Sequence, residues 1–177
     1  DIYCVGFQEL DLSASALMLR DTSQAPPWQL AIQATLRGVG DYVLLQKKQL
    51  VGILLFVYVR REHLPRVSDV VIDEHAVGIV GLGNKGGVAI RFAVCDSTFC
   101  IVNSHLNAHM ENVPRRNQDY HDIRRRLFAS GGEPCPTSTS APDPVPIVPG
   151  NSSSSHSASA TASGSGNTSS SASSSTG

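Results

Sequence analysis

"GLGNKGGVAIRF", residues 81–92, spaces its glycines to fit two phosphate-binding loops at once. Gly81, Gly83 and Gly86 match the G-x-G-x-x-G of a dinucleotide fold, and Val88 extends the match to the G-x-G-x-x-G-x-V of a protein kinase. The residues after the third glycine separate the readings. A dinucleotide fingerprint needs a helix there, because the helix N-terminus holds the pyrophosphate. Gly86 instead opens "GVAIRFAVC", whose apolar and β-branched residues read as a strand. The acidic residue due about 20 positions later is also missing, since residues 103–109 read "NSHLNAH". The kinase reading lacks H-R-D and D-F-G, and a Walker loop would need Ser or Thr after Lys85. The stretch is therefore a glycine-rich loop between strands. Its lysine either faces solvent or meets an anion.

The composition outside that loop sets further bounds. The chain has 177 residues, and its character changes near Ser130. Beyond it come "GGEPCPTSTSAPDPVPIVPG" and a run of Ser, Ala, Gly, Thr and Asn. So few large apolar side chains cannot offset the entropy of ordering the segment. Residues 131–177 are expected to be a disordered Pro/Ser-rich segment, and 1–130 to hold one core. That first part carries all 14 Lys and Arg against 13 acids, a net of about +1. Such a balance does not point to nucleic acid or membrane. Four cysteines, at 4, 95, 100 and 135, have no metal spacing and are expected to be reduced structural thiols of a cytoplasmic protein. The apolar run 50–59 is too short to span a bilayer, and no signal peptide is visible. Asp1 enters a strand at once, so an upstream segment is expected to be missing.

Strands are expected at 2–7, 42–46 and 50–59, with one or two more in "VSDVVIDEHAVGI". A hairpin is expected around "DST" (96–98). Helices are expected after Ser13, from Pro27 to Gly38, and from Pro114 with Tyr120, Ile123 and Leu127 along one side. This order suggests a layered α/β fold rather than strict β-α-β winding.

Polar residues at strand ends supply the candidate chemistry. Glu9 comes just after the apolar "VGF", where α/β sites commonly form. Asn103 and His105 close "FCIVNSH", and His109 lies four residues on. A carboxylate suits a hard cation such as Mg²⁺, and a strand-end imidazole suits proton transfer or phosphate binding. Taken singly, Glu9 could equally be an edge charge and His109 a structural residue.

Together, "VGFQEL" (5–10), "GLGNKGGVAIRF" (81–92), "CIVNSHLNAH" (100–109) and "RRNQDYHDI" (115–123) resemble the inositol polyphosphate 5-phosphatase family, most of all its type II members. The resemblance covers roughly residues 2–128. It implies part of an endonuclease/exonuclease/phosphatase fold, a two-sheet β-sandwich flanked by helices. It also implies Mg²⁺-dependent hydrolysis of the 5-phosphate of phosphoinositides or soluble inositol phosphates, reached peripherally at membranes and without nucleic acid. Glu9 would hold the metal. His105, with Asn103, would act at the transferred phosphoryl group. Asn84 and Lys85 would bind a second phosphate on the inositol ring, with glycines letting main-chain N–H groups approach the anion. Arg116 and Asn117 would support the site from a helix start.

The chain departs from the family pattern in several places. An upstream strand supplying an Asn is absent, as are the later W-x-G-D-x-N-Y-R and S-D-H segments. The Asp that would activate water goes with them, so this chain alone is expected to be inactive. Position 107 is Asn where the family has a small residue. Two other readings stay open: a nuclease of the same superfamily, and a non-catalytic phosphoinositide- or partner-binding remnant.

Overall fold

The computed structural model describes residues 1–11, 13–19, 22–77 and 83–134. Its strands are β1 (Ile2–Phe7), β2 (Tyr42–Leu50), β3 (Ile53–Arg60), β4 (Val67–Val77), β5 (Lys85–Val94), β6 (Ser97–His105) and β7 (Glu133–Pro134). Its helices are α1 (Ala14–Leu19), α2 (Ala25–Arg37) and α3 (Val113–Arg126). One sheet has the order β1-β3-β2 and the other β6-β5-β4-β7, and every pairing is antiparallel. This is the expected mixed α/β arrangement with two sheets and flanking helices.

β3 explains how the layers assemble. Its seven residues Ile53–Val59 are each at most 2% exposed, so both of its faces are covered. Ile53, Leu55, Val57 and Val59 pack with Val88, Ile90 and Phe92 of β5 to form the core between the sheets. Leu54, Phe56 and Tyr58 face the other way and pack with Ala25 and Leu36 of α2. An apolar residue at every position of this strand is what burial on two faces requires.

The local signals hold in places and shift in others. Ser13 accepts a hydrogen bond from the N–H of Ala16 (3.2 Å), as an N-cap should. α2 starts at Ala25 rather than Pro27, with its prolines in the first turn where an N–H is dispensable. The expected strand 50–59 is divided, because β2 runs on to Leu50 and Val51–Gly52 make the turn into β3. Val51 takes a positive φ (48°) there, which no apolar residue advertises. Residues 67–77 form one strand, β4, with a register shift between Ser68 and Val71. The β5–β6 turn is Cys95–Asp96, tighter than expected, and Ser97 and Thr98 already pair in β6.

α3 is the largest correction. Tyr120 is 55% exposed, whereas the residues it buries are Asp119 and Ile123. Cys4, Cys95 and Cys100 are free thiols, as expected, but all three are exposed rather than structural. β7 pairs with β4 through Glu133 and Pro134, so the last described residues still belong to a sheet. The rest of the expected Pro/Ser-rich segment, and Cys135, lie outside the described residues. Among the described residues no helix is long and apolar enough to cross a membrane.

Candidate active site

The end of β1, the start of β5 and the end of β6 meet at one place. Asn103 ties the two sheets together there. Its Nδ2 donates to the main-chain oxygens of Phe7 (2.8 Å) and Leu54 (3.0 Å). Gln8 adds a second tie, its Nε2 donating to Ser104 O at 2.6 Å. Gly6 permits the close approach, since a Cβ there would sit 3.0 Å from Asn103 Cγ. With the sheets joined this way, Glu9, two residues past β1, lies beside His105 at the end of β6.

His105 is only 8% exposed. Lys85 Nζ lies 2.6 Å from its Nε2, and Glu9 Oε1 lies 3.2 Å from the same atom. An ammonium can only donate, so in this contact Nε2 is the acceptor and the ring proton belongs on Nδ1. Nδ1 is buried and has no hydrogen bond of normal geometry. Burial, and then the Lys85 cation, push the imidazole below its ordinary pKa; Glu9 and a main-chain contact from Asn84 oppose them. The arrangement offers two states. A neutral ring accepts from Lys85, and a protonated ring pairs with Glu9.

Of the residues singled out in the sequence, Glu9, Lys85 and His105 come together, with Asn84 beside the ring. The amide of Asn103 is committed to two carbonyls and joins the sheets. Arg116 donates to the main-chain oxygens of Asn107 (3.4 Å), His109 and Met110 (3.4 Å), so it holds the loop after His105. Asn117 is exposed on α3. The described glycines of the loop serve packing instead of opening N–H groups to an anion. A Cβ on Gly86 would lie 2.3 Å from His75 O, and one on Gly87 would lie 2.9 Å from Ile123 Cγ2. Gly81 lies outside the described residues. Sequence reasoning missed Gln8 and the buried Asp119, for which no local pattern is a signal.

A divalent cation has one charged oxygen ligand here, Glu9, whose side chain is 60% exposed. That suits Mg²⁺, which keeps several waters and completes its shell with substrate phosphate oxygens. Among the described residues, Asp1, Glu62 and His63 form a separate cluster with metal-ligand spacing. Arg60 already bridges it, lying 3.6 Å from Asp1 and 3.2 Å from Glu62, so an ion-pair network accounts for that group.

Residues 1–158 match the family described as Endonuclease/Exonuclease/phosphatase family 2. The chain belongs to this family. Within it, the chain is similar to the mouse type II inositol 1,4,5-trisphosphate 5-phosphatase, with 48% identity over 128 residues, covering 72% of this chain and 13% of that protein. It is 40% identical to rat synaptojanin-2 over 134 residues, covering 74% of this chain and 9% of that one. Among solved structures it resembles the inositol polyphosphate 5-phosphatase domain of SpSynaptojanin, in complex with inositol (1,4)-bisphosphate and a calcium ion. That match has a TM-score of 0.63 and 36% identity, over 72% of this chain and 37% of the other. The chain thus carries part of a 5-phosphatase domain and spans a small share of its relatives' length.

Proposed function

We infer that the protein containing this chain hydrolyses the 5-phosphate of phosphoinositides or soluble inositol polyphosphates, with Mg²⁺. The carrying observation is the convergence of Glu9, Lys85 and His105 from three strand ends that are distant in sequence. Phosphoryl transfer chiefly needs positioned groups that stabilise developing negative charge. In this reading Lys85, with Asn84, binds a phosphate on the inositol ring. His105 sits at the transferred phosphoryl group, where its neutral and protonated states accept or return a proton. Glu9 would hold the cation, which when bound would polarise a phosphoryl oxygen. Arg116 and Asn103 fix the backbone around them. The family relationship and the relatives' names, inositol phosphate phosphatases among them, support the substrate class.

The 177-residue chain alone should turn over little. Glu9 is the one acid at the site among the described residues, so no second carboxylate stands ready to activate water. Loss of a general base typically costs about 10²–10⁴-fold. The same observation favours a second reading, a binding module that holds inositol phosphates without hydrolysing them. The test compares phosphate release from phosphatidylinositol 4,5-bisphosphate and soluble inositol trisphosphate by this chain, its His105→Ala variant and the longest natural protein that contains it. Activity in the long form that is lost with His105→Ala is expected. Activity of the chain well above its own His105→Ala control would reveal a general base outside the residues named. A long form that binds both substrates but releases no phosphate would establish the binding module.

A further inference from the structure

We propose that Asp119, acting through Asn107, is the positioning residue for His105. What His105 is positioned for rests on the functional reading above, but the positioning itself does not. A working imidazole is ordinarily oriented by a partner on its second nitrogen. His105 lacks one, because its buried Nδ1 has no hydrogen bond of normal geometry. Its Nε2 contacts come from Lys85, a long flexible side chain, and from Glu9, which is mostly exposed. The direction of the ring therefore depends on the main chain that carries it.

Before His105 that main chain is well held. β6 pairs with β5 as far as the His105–Gly86 step, and Asn103 is tied across to the other sheet. After His105 the ladder stops, and α3 takes over. The Oδ2 of Asp119 accepts from both the main-chain N–H (3.0 Å) and the Nδ2 (2.7 Å) of Asn107. Arg116 donates to the carbonyl of Asn107 as well, so every kind of polar group on that residue is gripped by one helix. The same guanidinium reaches the carbonyl of His109, whose backbone is held at φ 76°. Asp119 is fully buried, and its other oxygen lies 3.3 Å from Arg115 Nε. A carboxylate is costly to bury unless it is paired. It stands one helical turn before Ile123, at a place where an apolar side chain would pack more cheaply. Two hydrogen bonds to residue 107 are what the carboxylate supplies and an apolar side chain could not.

Asn107 also departs from the small residue expected of the family, so half of this grip belongs to this chain. The Nδ2 bond exists only because position 107 carries an amide.

The experiment uses ¹³C-histidine NMR on the 177-residue chain and steady-state kinetics on the longest natural protein containing it. With Asn107→Ala, the ring signals of His105 and His109 should shift while those of His63 and His121 stay. In the longer protein kcat should fall about tenfold with KM held within about twofold, as for a misplaced group and not a lost binding contact. Asn107→Ala should then add nothing to a His105→Ala background. Asp119→Asn, which keeps an acceptor, should do less than Asp119→Ala; if the latter does not fold, Asn107→Ala decides alone. A lower melting temperature with unmoved His105 signals and unchanged kcat would reduce the contact to loop stability and overturn the proposal. If the longer protein releases no phosphate from any inositol phosphate, the functional reading falls, and the NMR comparison still decides the positioning.

Discussion

β3 and β6 are both rich in apolar residues, yet they live in different surroundings. No residue from Ile53 to Val59 in β3 is more than 2% exposed, because the second sheet covers one face and α2 the other. β6 is an edge strand covered on its outer face by α3 alone. There Cys100, Val102 and Ser104 line a cavity of ≈400 Å³ with Tyr120, Ile123 and Leu127 of the α3 segment. Val102 remains 46% exposed and Tyr120 55%. The number of covering layers, not apolar content, decides how much each side chain contributes. The candidate site lies at the end of the loosely covered strand, where a backbone group can still be reached.

Truncation in the tightly covered region should have the largest effect. Phe92 is fully buried and its ring stacks on Phe99 at 5.5 Å. Phe92→Ala should cost about 3–5 kcal/mol, most of a small domain's stability, read as the loss or a large shift of the urea transition. A cost under about 1 kcal/mol would mean that the two sheets are not packed as described.

Adding an atom where the strands are closest should cost nearly as much. Gly86→Ala places a Cβ 2.3 Å from His75 O, a main-chain atom that cannot swing aside. Overpacking of this kind typically costs about 1–3 kcal/mol. The change should also displace Lys85, so that perturbation of the His105 ring signals accompanies the loss of stability. Unchanged stability would sink the packing account of the loop glycines.

Asn103→Ala removes both ties between the sheets and leaves the Phe7 and Leu54 carbonyls without that partner. Loss of a buried hydrogen-bond partner costs about 1–3 kcal/mol. The sharper readout is proximity: the contact between Glu9 and His105 should weaken, seen as loss of sensitivity of the His105 signals to Glu9→Gln.

Tyr120→Ala tests the loosely covered face and should shift stability by less than about 1 kcal/mol, as for other largely exposed positions. A cost matching Phe92→Ala would erase the contrast between the regions. Smallest of all is Asp122, whose carboxyl is held below its ordinary value by hydrogen bonds from Gln118 and then Arg125. A depressed folded pKa stabilises above the unfolded value, about 3.9, and that contribution fades as the pH falls through the folded value. Asp122→Asn should therefore leave neutral stability nearly unchanged and slightly flatten the acid limb of a pH–stability curve.

Much of the fold was legible where each signal is local. The unbroken apolar run of β3 demands cover on both faces, and the strand after Gly86 excludes a dinucleotide loop without any coordinates. The strand-end positions of Glu9 and His105 were legible for the same reason, as polar residues closing apolar runs. The turn at Val51 was not, since a β-branched residue in a left-handed conformation contradicts its own preference. Nor was the buried side of α3, because helical periodicity assigns an Asp to solvent, whereas Asp119 faces inward to meet Asn107.

The sequence by itself determined which segments are strands, which helices they precede, and which polar residues stand at their ends, because those depend on neighbours within a few positions. Only the tertiary structure decided that Lys85 touches His105, that Asn103 stitches two sheets, and that Arg116 and Asp119 face a loop. Each of those contacts joins residues whose partners are chosen by how two sheets and a helix pack. Packing is a property of all the buried surfaces together, and no single stretch of sequence contains it.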